Sequence, residues 1–178
     1  MAQTTSRLIK NLLPEACQTE QSAKTHCASE ANRLGGAPPA APMRDTSVHA
    51  ARMLRELETL ARARGVNAGR GAGRAIGRLF SAMRKISSDL VGSAEKSYRA
   101  TILGMQHGRG LFLLLEDAAI ASGDQELADF CGRWLTERDP IVARAEQELS
   151  WFADHPEVAL TRAVLLGRMP TPRLVPAT

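Results

Sequence analysis

Between Ser93 and Phe152 the apolar residues recur every three or four positions and predict two long amphipathic helices. The first takes Ser93 as its N-cap, has Glu95 and Lys96 in its first turns, and carries Ala100, Leu103, His107, Leu111, Leu114 and Ala118 before Ser122-Gly123 stops it. The second starts at Asp124, a capping residue, and carries Leu127, Phe130, Trp134, Glu137, Ile141, Ala145, Leu149 and Phe152 before Asp154-His155-Pro156. A tight turn joins them, so they are predicted to be antiparallel neighbours. Each stripe is interrupted by one ionisable residue, His107 on the first and Glu137 on the second.

A second pair of helices precedes this one. Residues 1–13 begin polar and turn amphipathic at Leu8, Leu12 and Leu13, and Pro14-Glu15 suits the first turn of a helix that runs to about Leu34. Gly35-Gly36 and then Pro38, Pro39 and Pro42 end it, because glycine favours a helix stop and proline removes backbone donors. The next helix starts near Asp45 or Thr46, places Ala50, Met53, Leu57 and Leu60 on one face, and ends at Gly65. Beyond a Gly-, Ala- and Arg-rich stretch, Ile76, Leu79, Phe80, Met83 and Ile86 predict an extra helix ending near Leu90. A short C-terminal helix is predicted from Glu157 to about Met169, followed by a proline-rich tail. The organisation is an N-terminal segment (1–13), a helical bundle (14–153) and a short helix with tail (154–178).

Composition narrows the class. A chain of 178 residues with 44% hydrophobic content is long enough for one core without disulfides or a structural metal. That content is mostly Ala and Leu, with few aromatic or β-branched residues, so the fold is all-α. Cys17, Cys27 and Cys131 are odd in number and lack short paired spacing, which supports neither a disulfide framework nor a zinc knuckle and suggests a reducing, cytoplasmic setting. No stretch reaches the roughly 18 apolar residues of a membrane-spanning helix.

The candidate chemistry lies in polar residues on apolar stripes. His107 falls between Leu103 and Leu111, and Glu137 between Trp134 and Ile141. Glu20 interrupts Leu13, Ala16, Ala23, Cys27, Ala31 and Leu34, and His49 lies one turn before Met53 at the border of its helix's apolar face. A buried imidazole or carboxylate needs a partner, so each is expected to find a hydrogen bond, a countercharge or a metal. Two carboxylates and two imidazoles from four helices are the ligand types of a carboxylate-bridged metal site in a bundle. Such a site normally includes Glu-x-x-His pairs, and the chain has none.

Met105-Gln106-His107, then Gly123-Asp124 and Leu135-Thr136-Glu137-Arg138-Asp139, resemble the second hairpin of the stress-associated ferritin-like proteins of the YciF type. Arg55-Glu56-Leu57-Glu58 with Gly65 is similar to that family's second-helix segment. The resemblance covers residues 15–153. It matches His107 to the family histidine and Glu137 to the first glutamate of its acidic run, with Glu20 near the first-helix glutamate and His49 where glutamate is usual. Gln106 and Arg138 replace acidic residues. What it implies is a ferritin-like up-down-up-down four-helix bundle, often dimeric, with a reduced metal site of Glu20, His49, His107 and Glu137. Iron or manganese suits those ligands before zinc, and a chain without metal is an equal alternative.

Other constellations point elsewhere. Gly69-Arg70-Gly71-Ala72-Gly73-Arg74 lacks a preceding strand and a Gly-Lys-Ser/Thr ending, so an inter-helix connection is preferred over a nucleotide loop. His26 and Glu30, beside Cys27, read as a solvated face rather than a second metal site. No Ser, Cys or Thr sits in a nucleophile turn, and a non-catalytic role is favoured. Arginines are dense over residues 52–85 while the segment from Glu116 to Glu157 is acidic. The alternative function is therefore a helical oligomerisation or binding module whose basic surface meets an acidic partner or nucleic acid, although those arginines can equally pair with the protein's own acidic helix.

Overall fold

The computed structural model describes residues 2–67 and 93–162, with side chains from residue 4 onward. Their long elements are four helices: α1 (Ala2–Leu34), α2 (Ala40–Ala63), α3 (Ala94–Ser122) and α4 (Gln125–Gln147). Two short helices follow, α5 (Leu149–Asp154) and α6 (Pro156–Ala159), and no strand occurs among the described residues. All-α is thus the class. Gly35, Gly65 and Gly123 take left-handed backbone angles where α1, α2 and α3 end, a conformation that glycine adopts without a Cβ penalty. Asp124 caps α4 by accepting a hydrogen bond from the Leu127 amide.

Several boundaries differ from the sequence expectation. The first helix begins at Ala2 rather than Pro14 and passes through that proline, because Ile9, Leu12 and Leu13 belong to the core and hold the earlier turns in place. The second begins at Ala40, with Pro42 in its first turn, where a missing N–H leaves no helical bond unmade. The fourth ends at Gln147, and Phe152 sits on α5. The extra helix expected near residues 76–90 lies outside the described residues; the C-terminal helix expected from Glu157 to about Met169 already stops at Ala159, as α6, and residues 163–178 lie outside the described residues.

Side-chain pairs fix the helix directions. Glu30 meets Ser97 while Thr19 meets Gly108, so α1 and α3 are antiparallel. Asp45 meets Arg144 while Arg64 meets Asp124, so α2 and α4 are too. Tyr98 reaches Ala145 and Phe112 stacks on Trp134, so α3 and α4 are antiparallel as well. Around the bundle the order is α1, α2, α4, α3, and along the chain the directions are up, down, down, up. This corrects the expected up-down-up-down order. Asn67 and Ser93 stand at opposite ends of the bundle, and the sequence between them is long enough to join those ends.

The apolar interior falls into two clusters. One holds Leu13 and Cys17 of α1, Met53 and Leu57 of α2, Phe112 and Leu115 of α3, and Phe130 and Trp134 of α4. The other holds Cys27, Met43, Tyr98, Met105, Val142 and Phe152. Between them lies a level at which α1, α2 and α4 contribute Glu20, His49 and Arg138, all buried. Across that level α3 offers Gly108, where an added Cβ would come within 3.2 Å of the Thr19 methyl.

Candidate functional site

The inner stripe of α4 is Leu127, Phe130, Cys131, Trp134, Leu135, Arg138, Val142 and Ala145. Helical spacing therefore carries Arg138 into the bundle, with its guanidinium carbon 4.8 Å from the centroid of the Trp134 ring one turn earlier. Arg138 Nη2 donates to Glu20 Oε2 at 2.8 Å, and Arg138 Nε donates to His49 Nδ1 at 3.0 Å. Both side chains of the Arg138–Glu20 pair are 1% exposed. His49 Nε2 lies 3.2 Å from Glu137 Oε2, and Glu137 in turn binds Arg52 at the surface. A line of alternating partners thus runs from solvent to core: Arg52, Glu137, His49, Arg138, Glu20.

Burial disfavours charge on both members of the inner pair, raising Glu20 above the usual carboxylate range and lowering Arg138 below its ordinary value, while each partner's charge opposes that effect. A guanidinium does not lose its proton in a protein, so Arg138 keeps its charge and supplies the countercharge that a Glu20 carboxylate needs at this depth. Burial, and then the Arg138 charge, push His49 down to about 4. It is neutral at pH 7. Because Nδ1 accepts from Arg138, the imidazole proton sits on Nε2 and faces Glu137. The bond from Arg52 holds Glu137 below the usual carboxylate range. His49 Nε2, Trp134 Nε1 and Glu20 Oε1 face the same layer without a well-aligned hydrogen bond.

Three of the four residues expected as ligands come together, Glu20 and His49 through Arg138 and Glu137 through His49, and His107 does not. Its expected place on the core stripe of α3 is corrected. The buried face of that helix is Tyr98, Ile102, Met105, Gly108, Leu111, Phe112, Leu115 and Ala119, whereas Leu103 and Leu114 point outward. His107 sits at the edge toward α1, its Nε2 3.4 Å from Glu15 Oε1. Glu137 is likewise at the border of α4, and the neighbouring Arg138 is the buried residue. The sequence signal for it was its place one turn past Trp134 on a stripe otherwise apolar, masked because arginine is rarely buried.

The supposed solvated pair on α1 also separates. His26 is exposed, but Glu30 is fully buried, bound by Arg33 and by the Ser97 hydroxyl at 2.8 Å. The described part of the Arg-rich segment is largely engaged within the chain. Arg52 binds Glu137, and Arg64 grips both carboxylate oxygens of Asp124 at 2.6 and 2.5 Å. Residues 68–85 of that segment lie outside the described residues. Cys17, Cys27 and Cys131 are free and buried, and burial raises each thiol to about 12, so none is a ready nucleophile.

The layer does not suit a metal ion. The two inner ligand atoms, Glu20 Oε2 and His49 Nδ1, already accept from one guanidinium, and a dication about 2 Å from them would stand against that fixed positive charge. Among the described residues no three His, Cys, Asp or Glu side chains are gathered as a metal requires. No described helix is long and apolar enough to cross a membrane. No protein-family model, curated protein or solved structure matches the chain.

Proposed function

We propose that this chain is a ferritin-like bundle protein of the stress-associated type in which the Arg138 guanidinium takes the place of the metal. Its role is then non-catalytic, exercised through its surfaces. The observation that carries this is the pair of hydrogen bonds from Arg138 to Glu20 and His49, two of the four residues expected as ligands. The up-down-down-up order supports the ferritin-like plan, since that fold joins its two hairpins by one long crossover whereas a simple bundle does not. The stress association rests on the family resemblance alone.

Metal titration tests the proposal. The untagged chain, with Fe(II), Mn(II) and Zn(II) added in turn under anaerobic conditions, is expected to retain well below one equivalent after gel filtration. Stoichiometric metal that disappears in Glu20→Gln or His49→Gln would refute it. Arg138→Leu, which releases both ligand atoms, is expected to bind one of these ions more tightly than the unaltered chain.

A further inference from the structure

On its solvent side, next to α2, the helix α1 carries a shallow groove of about 650 Å³. Ala28 and Ser29 lie at its centre, with Lys24 and Asn32 one turn to either side of the first and Thr25 and Arg33 one turn to either side of the second. Ser47 of α2 borders it. We propose that this groove binds a small phosphate monoester.

Charge is the first reason. Two cations and no acid line the groove. Lys24 has no ion-pair partner among the described residues, and Arg33 is held from behind, because the buried Glu30 carboxylate and the Ser97 hydroxyl both take hydrogen bonds from its Nη2, the latter at 3.0 Å. So fixed, the guanidinium leaves its Nε, which is out of contact with water, without a hydrogen-bond partner. An unmet guanidinium donor and an uncommitted ammonium, about 13 Å apart along one helix, suit an oxyanion set between them.

Spare donors are the second. Ser47 gives its hydroxyl proton to the Lys24 carbonyl at 2.7 Å, and Thr25 gives its own to the carbonyl of Gln21 or Ser22, each at 3.1 Å. Ser29 and Asn32 make no side-chain hydrogen bond among the described residues, so with Lys24 and Arg33 they set four donors around one helix face. A phosphate monoester offers three terminal oxygens to that set, where a carboxylate offers two. The organic part of the ester rests along α1 in an open groove and stays largely in water, and Glu30 already offsets much of the Arg33 charge. The affinity therefore belongs near a Kd of about 1 mM.

Amide NMR of the full chain tests this, with inorganic phosphate, glucose 6-phosphate and glucose added in turn to about 20 mM at constant ionic strength. The expected result is saturable shifts confined to residues 24–33 and Ser47, at least as strong with glucose 6-phosphate as with inorganic phosphate and absent with glucose. Lys24→Glu and Ser29→Asp, both at exposed positions, should each weaken binding by roughly fivefold or more and leave the rest of the spectrum unchanged, while Lys24→Arg should retain it. Shifts that do not saturate, that spread equally over other basic surfaces, or that survive both Lys24→Glu and Ser29→Asp would overturn the proposal. So would binding of inorganic phosphate without binding of glucose 6-phosphate.

Discussion

Replacing Arg138 by methionine keeps most of the side chain's apolar volume and removes its charge, which isolates what the guanidinium does. The variant loses a charged hydrogen bond to Glu20, a second to His49, and the contact with the Trp134 ring. It also leaves the Glu20 carboxylate without a countercharge at a site with no water contact. Breaking a buried pair by removing one partner costs about 3–5 kcal/mol, a large share of a total stability of about 5–15 kcal/mol. For a chain of this length that corresponds to a fall in Tm of roughly 10 °C. Glu20→Leu alone should cost a similar amount, since it strands the arginine instead. The decisive measurement is the double variant Glu20→Leu with Arg138→Met, followed by urea unfolding. Removing both charges also removes their desolvation, so the double variant should be more stable than either single one. If its loss equals the sum of the two single losses, Arg138 and Glu20 do not neutralise each other and the account of the layer is refuted.

Two further outcomes follow from the same geometry. His49 titrates at about 4 in the folded chain against 6.5 when unfolded, so the unfolded state binds the extra proton between those values and stability falls as pH drops through that window; about 3 kcal/mol present above pH 6.5 is lost by pH 4, and His49→Gln should flatten this part of the urea-unfolding profile. An unchanged profile in His49→Gln would show that the imidazole is not buried neutral. At the start of α4, Asp124→Ala removes both the cap on Leu127 and the grip of Arg64, and should cost about 1–2 kcal/mol by thermal melting, while Asp124→Asn, which retains the cap, should cost less.

How much of this was legible in the sequence depended on whether a residue obeyed the usual rules of burial. Gly35, Gly65 and Gly123 marked helix ends because only glycine takes the left-handed turn freely, and Asp124 marked a cap. Glu20 was placed inside by neighbours that are small or apolar on both sides, and it is buried; His49, expected only at the border of its helix's apolar face, is buried as well. The face of α3 was misread because that helix carries leucine on both sides. Leu103 and Leu114 formed one regular series through His107, while the packed series runs through Met105 and the narrow Gly108. Hydrophobicity alone does not separate a stripe that packs inside the chain from one left outside. On α4, Glu137 and Arg138 differ by one residue, about 100° around the helix, and the rule that arginine stays outside favoured the wrong one.

The position of the layer explains why an ion pair of doubtful net stability belongs there. The two apolar clusters it separates are built largely from alanine, leucine and methionine, side chains that tolerate repacking when one helix shifts by a turn. Arg138 does not tolerate it. A one-turn slide of α4 carries the guanidinium about 5.4 Å from Glu20 and His49, strands a buried cation and a buried anion together, and costs several kcal/mol. The pair therefore acts chiefly against wrong registers, as a single polar residue does in a coiled-coil seam. The double variant separates this from stability as such. With both charges gone, the bundle should remain folded, yet its near-UV circular dichroism, which reports the fixed surroundings of Trp134 at that layer, should weaken while far-UV helicity persists. Retention of the full near-UV signal would show that packing alone sets the register, and that the arginine is needed only because Glu20 is there.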